Sequence, residues 1–271
     1  MKPLPIGLAL SGGTARSVTH VGVLKALAEA GISFDYIAGT SGGSIVGAML
    51  ASGRTIPQLE ELATNMSWKK LASIKITKLG FVSSKRIEVL IQEFLGDTTF
   101  ADLKIPFAVT TTNLTTGQTY LFNQGNIARA IRASCSIPHI FLPVEIDGTY
   151  YVDGGLSQYL PVESVRQLGK QFTIAVHLGS RDEVYHRPAH LLQLIMQLNN
   201  LIARQNYSVS EKKADFVIRP DVSGFSAFDF ANTPALMEVG YNAAKQQVDA
   251  IREAWFRKSS LWQQLLAKLK S

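Results

Sequence analysis

Residues 34–51 read Phe-Asp-Tyr-Ile-Ala-Gly-Thr-Ser-Gly-Gly-Ser-Ile-Val-Gly-Ala-Met-Leu-Ala, and they carry most of the information about the architecture. The first five are apolar and β-prone and the last eight are small and apolar, which predicts a buried strand followed by a closely packed helix. Between them, Gly39-Thr40-Ser41-Gly42-Gly43 has the spacing Gly-x-Ser-x-Gly, typical of a strained turn that exposes a nucleophilic serine. A glycine-rich turn without chemistry has the same spacing, so the motif alone leaves both interpretations open.

The residues before this stretch repeat the order of strand, glycine loop and helix. Residues 5–10 predict a buried strand, Ser11-Gly12-Gly13-Thr14 predicts a loop, and residues 15–30 have the apolar spacing of a helix. Apolar strands that alternate with helices indicate a parallel sheet covered on both faces. We therefore expect an α/β fold, a three-layer sandwich with a central, mostly parallel sheet between helices. Further strands are predicted at 107–112, 119–122, 141–146, 149–152, 172–178 and 216–219, and further helices at 57–66, 85–94, 126–133, 189–204 and 234–256.

The domain organisation follows from length and composition. A chain of 271 residues with 46% hydrophobic and 18% charged residues is long and apolar enough for one large globular domain. No stretch has the composition of a linker, so we expect one domain over residues 1–256, with a helical, lid-like segment at 56–103. Residues 257–271 predict a separate basic amphipathic helix. Five cations and one anion lie in residues 252–271, namely Arg252, Arg257, Lys258, Lys268, Lys270 and Glu253.

Several classes of protein are disfavoured by the sequence. Cys135 is the single cysteine, which rules out an internal disulfide and fits a reducing compartment, so we expect a cytoplasmic protein. No spacing typical of a zinc site occurs. No apolar stretch approaches the roughly 20 residues of a membrane span, and the apolar run at residues 4–10 is too short and broken for a signal peptide. Net charge is the only argument for nucleic-acid binding, and we expect no nucleic-acid partner.

A nucleophilic serine needs a base and an oxyanion hole, and the sequence offers candidates for both. The backbone N–H groups of Ser11-Gly12-Gly13-Thr14 can bind an anion, whereas the loop lacks the spacing of nucleotide-binding glycine motifs. His186 and His190 have the chain order of a Ser-His-Asp base, but their polar loop is typical of surface histidines. Asp153 follows an apolar strand and precedes two glycines, so it is either a base open to a cleft or part of an ordinary Asp-Gly turn.

Five blocks in chain order carry a family resemblance. They are Leu-Ser-Gly-Gly-Thr-Ala-Arg at 10–16, His-Val-Gly-Val-Leu at 20–24, Gly-Thr-Ser-Gly-Gly-Ser at 39–44, Arg-Ala-Ser-Cys-Ser-Ile-Pro at 132–138 and Asp-Gly-Gly at 153–155. With these blocks the sequence resembles the patatin-like phospholipases from about residue 5 to about residue 180, and more weakly to about residue 250.

The resemblance implies a patatin-like fold and a carboxylic ester hydrolase that acts on phospholipids or other acyl-ester lipids. Ser41 matches the nucleophile and Asp153 the aspartate of a catalytic dyad, which replaces a triad. Gly12 and Gly13 match the oxyanion loop, in which the N–H group of Thr14 is a third candidate donor, and Arg16 matches the basic residue that braces this loop or contacts a lipid phosphate. No metal or organic cofactor is implied. Thr14 and Ser17 depart from the family pattern, because glycine is usual at both positions, and a β-branched residue at Thr14 is strained if its φ is positive.

Other functions remain open at this point. A catalytically silent lipid-binding or regulatory module is one, supported by the departures at Thr14 and Ser17. An acyltransferase is another, although Thr40 stands where the histidine of the transacylase motif is expected. Peripheral contact with a membrane surface is a further hypothesis. Residues 68–79 and 261–269 combine apolar side chains with lysines as interfacial helices do, whereas core-packing helices with solvated lysines have the same pattern. The oligomeric state is not predicted.

Overall fold

The structure is a computed structural model, and it describes residues 3–71, 82–169, 171–179, 187–188, 191–227 and 230–268. Eight strands form one sheet: β1 (Ile6–Leu10), β2 (Tyr36–Thr40), β3 (Phe107–Asn113), β4 (Thr119–Phe122), β5 (Val144–Ile146), β6 (Thr149–Asp153), β7 (Phe172–Val176) and β8 (Phe216–Ile218). Within the described ranges the α-helices are α1 (Thr19–Glu29), α2 (Gly42–Ala51), α3 (Ile56–Thr64), α4 (Trp68–Leu71), α5 (Lys85–Leu95), α6 (Ile127–Ser134), α7 (Gly155–Gln158), α8 (Val162–Gln167), α9 (Leu191–Lys213), α10 (Thr233–Lys245) and α11 (Val248–Lys268).

The sheet is mixed, with a parallel centre. Strands β3, β2, β1, β7 and β8 pair in that succession, and all of these pairings are parallel. Strands β4 and β6 pair antiparallel with β3, and β5 pairs antiparallel with β6. Helices lie on both faces, so the expected α/β sandwich with a mostly parallel central sheet is confirmed.

The register of β3 explains how two distant segments meet. Val109 and Thr110 pair with β2 and with β4, which places β2 and β4 on opposite edges of β3. Thr111 and Thr112 pair with β4 and with β6. Strands β2 and β6 therefore occupy successive stretches of the same edge of β3, and they approach each other from opposite directions. The residues that follow β2 and those that end β6 must converge.

The two faces of the sheet are packed differently. One face carries large side chains such as Leu8, Ile37 and Phe107, which pack in the main core with helices that include α1, α2 and α10. The other face carries four alanines in one lateral row, Ala9, Ala38, Ala108 and Ala175. Because alanine is small, α8 and α9 approach this face closely, and they cover the row with Val162, Val165 and Tyr207 among others. Side-chain packing on both faces of the sheet holds the strand ends at which the functional loops begin.

Three boundaries predicted from the sequence are wrong. The helix predicted at 15–30 is preceded by a 3₁₀ turn at Thr14–Val18, so that α1 begins only at Thr19. Helix α9 extends nine residues beyond the predicted end at residue 204. The separate helix at 257–271 is replaced by the continuous α11, and the break falls instead at Gln246–Gln247. Packing keeps α11 intact past residue 257, because Ser259 accepts a hydrogen bond from the Leu4 N–H.

The predicted lid-like segment at 56–103 is built into the domain over part of its length. Leu59 of α3 and Ile87, Leu90 and Ile91 of α5 are buried in the main core. Lys25 of α1 forms an ion pair with Glu60 of α3 at 2.9 Å. Residues 72–81 of this segment lie outside the described residues, and the lid-like role stays a prediction.

Candidate active site

Ser41 lies on a strained turn between β2 and α2. Its φ of 51° and ψ of −128° are sparsely populated for a residue with a side chain, and such strain is concentrated at functional sites. The flanking glycines are required by space. A Cβ on Gly39 would lie 2.5 Å from the Gly43 carbonyl oxygen, and a Cβ on Gly43 would lie 2.4 Å from the Ser11 carbonyl oxygen. The turn thus brings the Ser41 hydroxyl to the start of α2, where the helix dipole favours negative charge.

The convergence of β2 and β6 brings Asp153 to this hydroxyl. Thr40 pairs with Thr110 and Asp153 pairs with Thr111, so the two strand ends lie one residue apart along β3. The Ser41 Oγ donates a hydrogen bond of 2.7 Å to Asp153 Oδ2, across 112 positions of sequence. The sequence-predicted pair is therefore in direct contact, in the geometry of a nucleophile and its base.

The Asp153 carboxyl group is buried, and hydrogen bonds offset part of the cost of removing it from water. Its Oδ1 accepts a hydrogen bond of 2.7 Å from the Gly155 N–H. Burial raises the pKa of Asp153 from 3.8 to about 6, and the hydrogen bonds from Gly155 and Ser41 oppose the rise. A carboxylate with this pKa is mostly ionised at neutral pH and is a stronger base than an exposed aspartate, which is the direction that proton abstraction requires.

The loop after β1 supplies backbone donors beside Ser41, but not all three that the sequence predicted. The Gly12 N–H donates to the Tyr159 carbonyl oxygen at 3.2 Å, so it is occupied, and the expectation of a free donor at Gly12 is wrong. Within the described part of the chain, the Gly13 and Thr14 N–H groups donate no hydrogen bond. Both residues line the cleft at Ser41, and a φ of 53° places Thr14 in the left-handed region that costs a β-branched residue about 1–2 kcal/mol.

Two contacts anchor this loop from the far side of the cleft. Arg16 is buried, and its Nε donates to the Phe225 carbonyl oxygen at 2.8 Å. The Ala15 N–H donates to the Ala227 carbonyl oxygen at 2.9 Å. Arg16 thus braces the loop, as one of the two predicted roles requires. Its contact with a lipid phosphate stays a prediction.

The histidines occupy other positions. His20 is fully buried on α1, and its Nε2 lies 2.9 Å from the Ser11 carbonyl oxygen. Burial lowers the pKa of His20 to about 4, so the ring is neutral at pH 7 and donates from Nε2 to this carbonyl. It fixes the residue before Gly12. His186 and His190, the alternative bases by chain order, lie outside the described residues.

Ser134 and Cys135 complete the surroundings of Ser41, and reasoning from the sequence gave neither a function. The Ser134 hydroxyl accepts a hydrogen bond of 2.8 Å from the Ser41 N–H and donates one of 2.6 Å to the Thr110 carbonyl oxygen. It therefore holds the strained turn against β3. Burial, together with the nearby Asp153 carboxylate, raises the pKa of the Cys135 thiol, so this thiol is neutral and unreactive.

Two clefts lie on either side of Thr14. The first, of about 600 Å³ with open solvent included, contains Ser41 and Asp153 at its base and is lined also by Asn199, Asn200 and Ala203 of α9. The second, of about 490 Å³, is lined almost entirely by apolar side chains of α1, α2 and α3, among them Val21, Val46, Met49 and Leu62.

Reasoning from the sequence did not predict that α9 contributes to the first cleft. Asn199 lines this cleft, and its Nδ2 is buried without a hydrogen-bond partner within the described residues. Further along α9, the Asn206 side chain donates to the Leu156 carbonyl oxygen and so ties α9 to the segment after Asp153. An asparagine in a predicted amphipathic helix gives no signal of this role, because the role depends on which side of the helix meets the cleft.

Known proteins resemble this chain in sequence and in fold. The family model described as patatin-like phospholipase matches residues 8–166. Lysophospholipase NTE1 of Scheffersomyces stipitis is 27% identical over 288 residues, which cover 94% of this chain and 18% of that protein. An uncharacterised NTE family protein of Mycobacterium tuberculosis is 33% identical over 183 residues, which cover 65% of this chain and 50% of that protein. The chain thus spans half or less of the length of these relatives.

A solved structure supports the same architecture. The crystal structure of VipD from Legionella pneumophila superposes with a TM-score of 0.56 at 16% sequence identity, and the match covers 92% of this chain and 67% of that chain. At this level of identity the likeness concerns the fold alone, a central sheet flanked by helices.

Proposed function

Because this chain belongs to the patatin-like phospholipase family, we propose that it hydrolyses acyl-ester lipids through a Ser41–Asp153 dyad. The observation that carries the proposal is the 2.7 Å hydrogen bond from Ser41 Oγ to Asp153 Oδ2 at the base of a cleft. The relatives named lysophospholipases support phospholipids and lysophospholipids as the substrate class.

In the proposed first step, Ser41 Oγ attacks the ester carbonyl carbon while its proton moves to Asp153 Oδ2. General-base assistance of this kind contributes about 10²–10⁴-fold to the rate. The carbonyl oxygen becomes an oxyanion within reach of the Gly13 and Thr14 N–H groups and the start of α2. A single donor of this type lowers the barrier by about 3 kcal/mol.

Collapse of the tetrahedral intermediate then breaks the bond between the carbonyl carbon and the alcohol oxygen. Asp153 returns its proton to the leaving alkoxide, and the acyl group remains on Ser41. In the second half, water takes the place of Ser41 as nucleophile: Asp153 accepts a proton from the water and then gives it to Ser41 Oγ as the acyl bond breaks. The products are a fatty acid and the deacylated lipid, and the dyad is restored.

The two clefts suggest how a lipid ester is held. The apolar cleft behind Thr14 and Gly42 suits the acyl chain, and each buried CH₂ contributes about 0.8 kcal/mol to binding. The cleft on the Ser41 side is the more polar of the two and suits the glycerol and head group. We include peripheral contact with a membrane or micelle in this proposal, because lipid substrates are present in such aggregates.

Release of free fatty acid from a panel of phospholipids, lysophospholipids and neutral esters tests the proposal. The wild-type protein should release fatty acid from at least one phospholipid or lysophospholipid, and Ser41→Ala should reduce release to background. Ser52→Ala is the control, because this hydroxyl lies after the far end of α2, where it donates a hydrogen bond to the Met49 carbonyl oxygen. If the Ser41→Ala variant still releases fatty acid at the wild-type rate, Ser41 is not the nucleophile.

A silent lipid-binding module remains a second candidate, and one observation favours it. Thr14 has a left-handed backbone in the oxyanion loop, at a position where the family pattern has glycine. Relief of this strain would turn the Thr14 N–H group away from the oxyanion. A silent module would bind lipid vesicles, release no fatty acid from any member of the panel, and leave Ser41 unmodified by a fluorophosphonate.

A further inference from the structure

Helix α9 carries an exposed apolar stripe that the proposed catalysis does not use. The stripe consists of Leu191, Leu194, Leu198, Leu201 and Ile202, whose exposed fractions run from 39% to 71%. Their spacing of three and four residues places them on one side of the helix. A contiguous apolar surface of this kind on a folded protein marks an interaction site rather than an ordinary surface.

The opposite side of α9 belongs to the active-site cleft. Asn199, Asn200 and Ala203 line the cleft at Ser41, and Tyr207 packs under the sheet. Each residue of an α-helix is rotated by about 100° from the one before it, so Ala203 and Tyr207 point roughly opposite to Leu198 and Leu201. One helix of about 10 Å diameter therefore separates the stripe from the cleft that receives the substrate.

The charges near the stripe indicate what kind of surface it binds. From Leu191 to Ser210, helix α9 contains no aspartate or glutamate, and its one cation in that span is Arg204. Arg187 lies just before the helix and is exposed. An apolar stripe without carboxylates, with the exposed Arg187 just before it, matches an interfacial helix, whose apolar side enters the acyl boundary while a neighbouring cation meets anionic head groups.

We propose that the α9 stripe is the surface on which the protein lies against a negatively charged lipid bilayer. The proposal rests on the proposed function, because it places the cleft at the source of lipid esters. Among the helices of the described ranges, none is long and apolar enough to cross a membrane. The stripe would thus lie in the interface plane, with the cleft one helix diameter away.

The C-terminal helix is less suited to this task. Trp255 Nε1 donates to the Leu4 carbonyl oxygen, and Lys258 Nζ lies 3.3 Å from the Gln171 carbonyl oxygen. Leu4 and Gln171 precede β1 and β7, so α11 packs at the edge where these strands begin. Ser41 follows β2 at the other edge, about 17 Å away for strands of five residues. The predicted membrane role of 261–269 is therefore hard to combine with access to Ser41, and residues 72–79 of the other predicted segment lie outside the described residues.

Co-sedimentation with vesicles of phosphatidylglycerol and phosphatidylcholine tests the proposal. The test variant is Leu198→Gln with Leu201→Gln, in a Ser41→Ala background so that the vesicles stay intact. The matched control is Phe256→Gln with Leu261→Gln, which replaces two apolar side chains on α11 that are at least as exposed as Leu198 and Leu201. From the apolar area involved, the α9 variant should lose vesicle affinity about tenfold or more, and the control should change it less than about twofold.

The same substitutions in the otherwise wild-type protein separate this proposal from the proposed function. Both variants should hydrolyse a monomeric, water-soluble nitrophenyl ester at the wild-type rate, and only the α9 variant should lose activity on vesicles. If wild type fails on every ester, the proposed function fails, and vesicle binding still decides the role of the stripe. Equal vesicle binding by the α9 variant and wild type would overturn the inference. If light scattering then also shows a wild-type dimer that the α9 variant breaks, the stripe is an interface between two copies.

Discussion

Replacing Asp153 by asparagine separates the two consequences of burying a carboxyl group beside Ser41. The substitution removes the base, so turnover should fall. It also removes a buried charge, so the folded protein should become more stable wherever the carboxyl group is ionised. The stability effect tests the environment of Asp153 without reference to any substrate.

The magnitude follows from the pKa, which burial raises from 3.8 to about 6. A folded-state pKa above the unfolded one means that the folded protein binds the proton more tightly. The favourable contribution is complete below about pH 4, declines as the pH rises through about 6, and is absent above it. A shift of about two units corresponds to about 3 kcal/mol. Because the carboxyl group of the unfolded chain is already partly ionised at pH 4, the stability advantage of Asp153→Asn over wild type should be about 2–3 kcal/mol larger at pH 8 than at pH 4.

Urea unfolding of both proteins at several pH values between 4 and 8 measures this difference, and all other titrating groups cancel in the comparison. Ser41→Ala is the control. It keeps the buried carboxyl group and removes a hydrogen bond that lowers its pKa, so its stability should fall with pH at least as much as that of wild type. A difference between Asp153→Asn and wild type that stays constant from pH 4 to pH 8 would refute the reasoning.

Three further predictions concern the turn, the loop and the apolar cleft. Ser134→Ala leaves the buried Ser41 N–H without its acceptor, so it should lower the free energy of unfolding by about 1–3 kcal/mol and slow turnover. Thr14→Gly relieves the left-handed strain and keeps the N–H group, so it should raise the free energy of unfolding by up to about 1 kcal/mol and retain activity. A loss of activity would contradict the predicted role of this loop. Val46→Phe reduces the apolar cleft, so it should raise KM for long-chain esters about tenfold and leave a butyrate ester unaffected, as steady-state kinetics with both esters will show.

The elements predicted best from the sequence are those with local signals. The strand, turn and helix around Ser41 follow from an apolar run, glycines at fixed spacing and a second apolar run, and the structure has all three. The break between α10 and α11 at Gln246–Gln247 could not be predicted, because neither glycine nor proline marks it. The length of α9 was underestimated because its last residues are mostly polar, and their helical state depends on the packing of Tyr207 and Ser210.

The site depends on contacts between distant segments, and these need the register of the sheet. Asp153 was placed beside Ser41 by the family resemblance, whereas its physical cause is that β2 and β6 share one edge of β3. No local pattern indicates that sharing. For the same reason, the sequence could not show that the Gly12 N–H is occupied by the Tyr159 carbonyl oxygen, which comes from a segment about 150 residues away.

The most direct test of the dyad is the rate at which a fluorophosphonate modifies the protein, with the adduct located by mass spectrometry. This reagent reacts with an activated serine and needs no lipid interface. We predict a single adduct on Ser41, a rate that falls as the pH is lowered through about 6, and a loss of about 100-fold or more in Asp153→Asn. An adduct on another residue, or Asp153→Asn modified at the wild-type rate, would contradict the account.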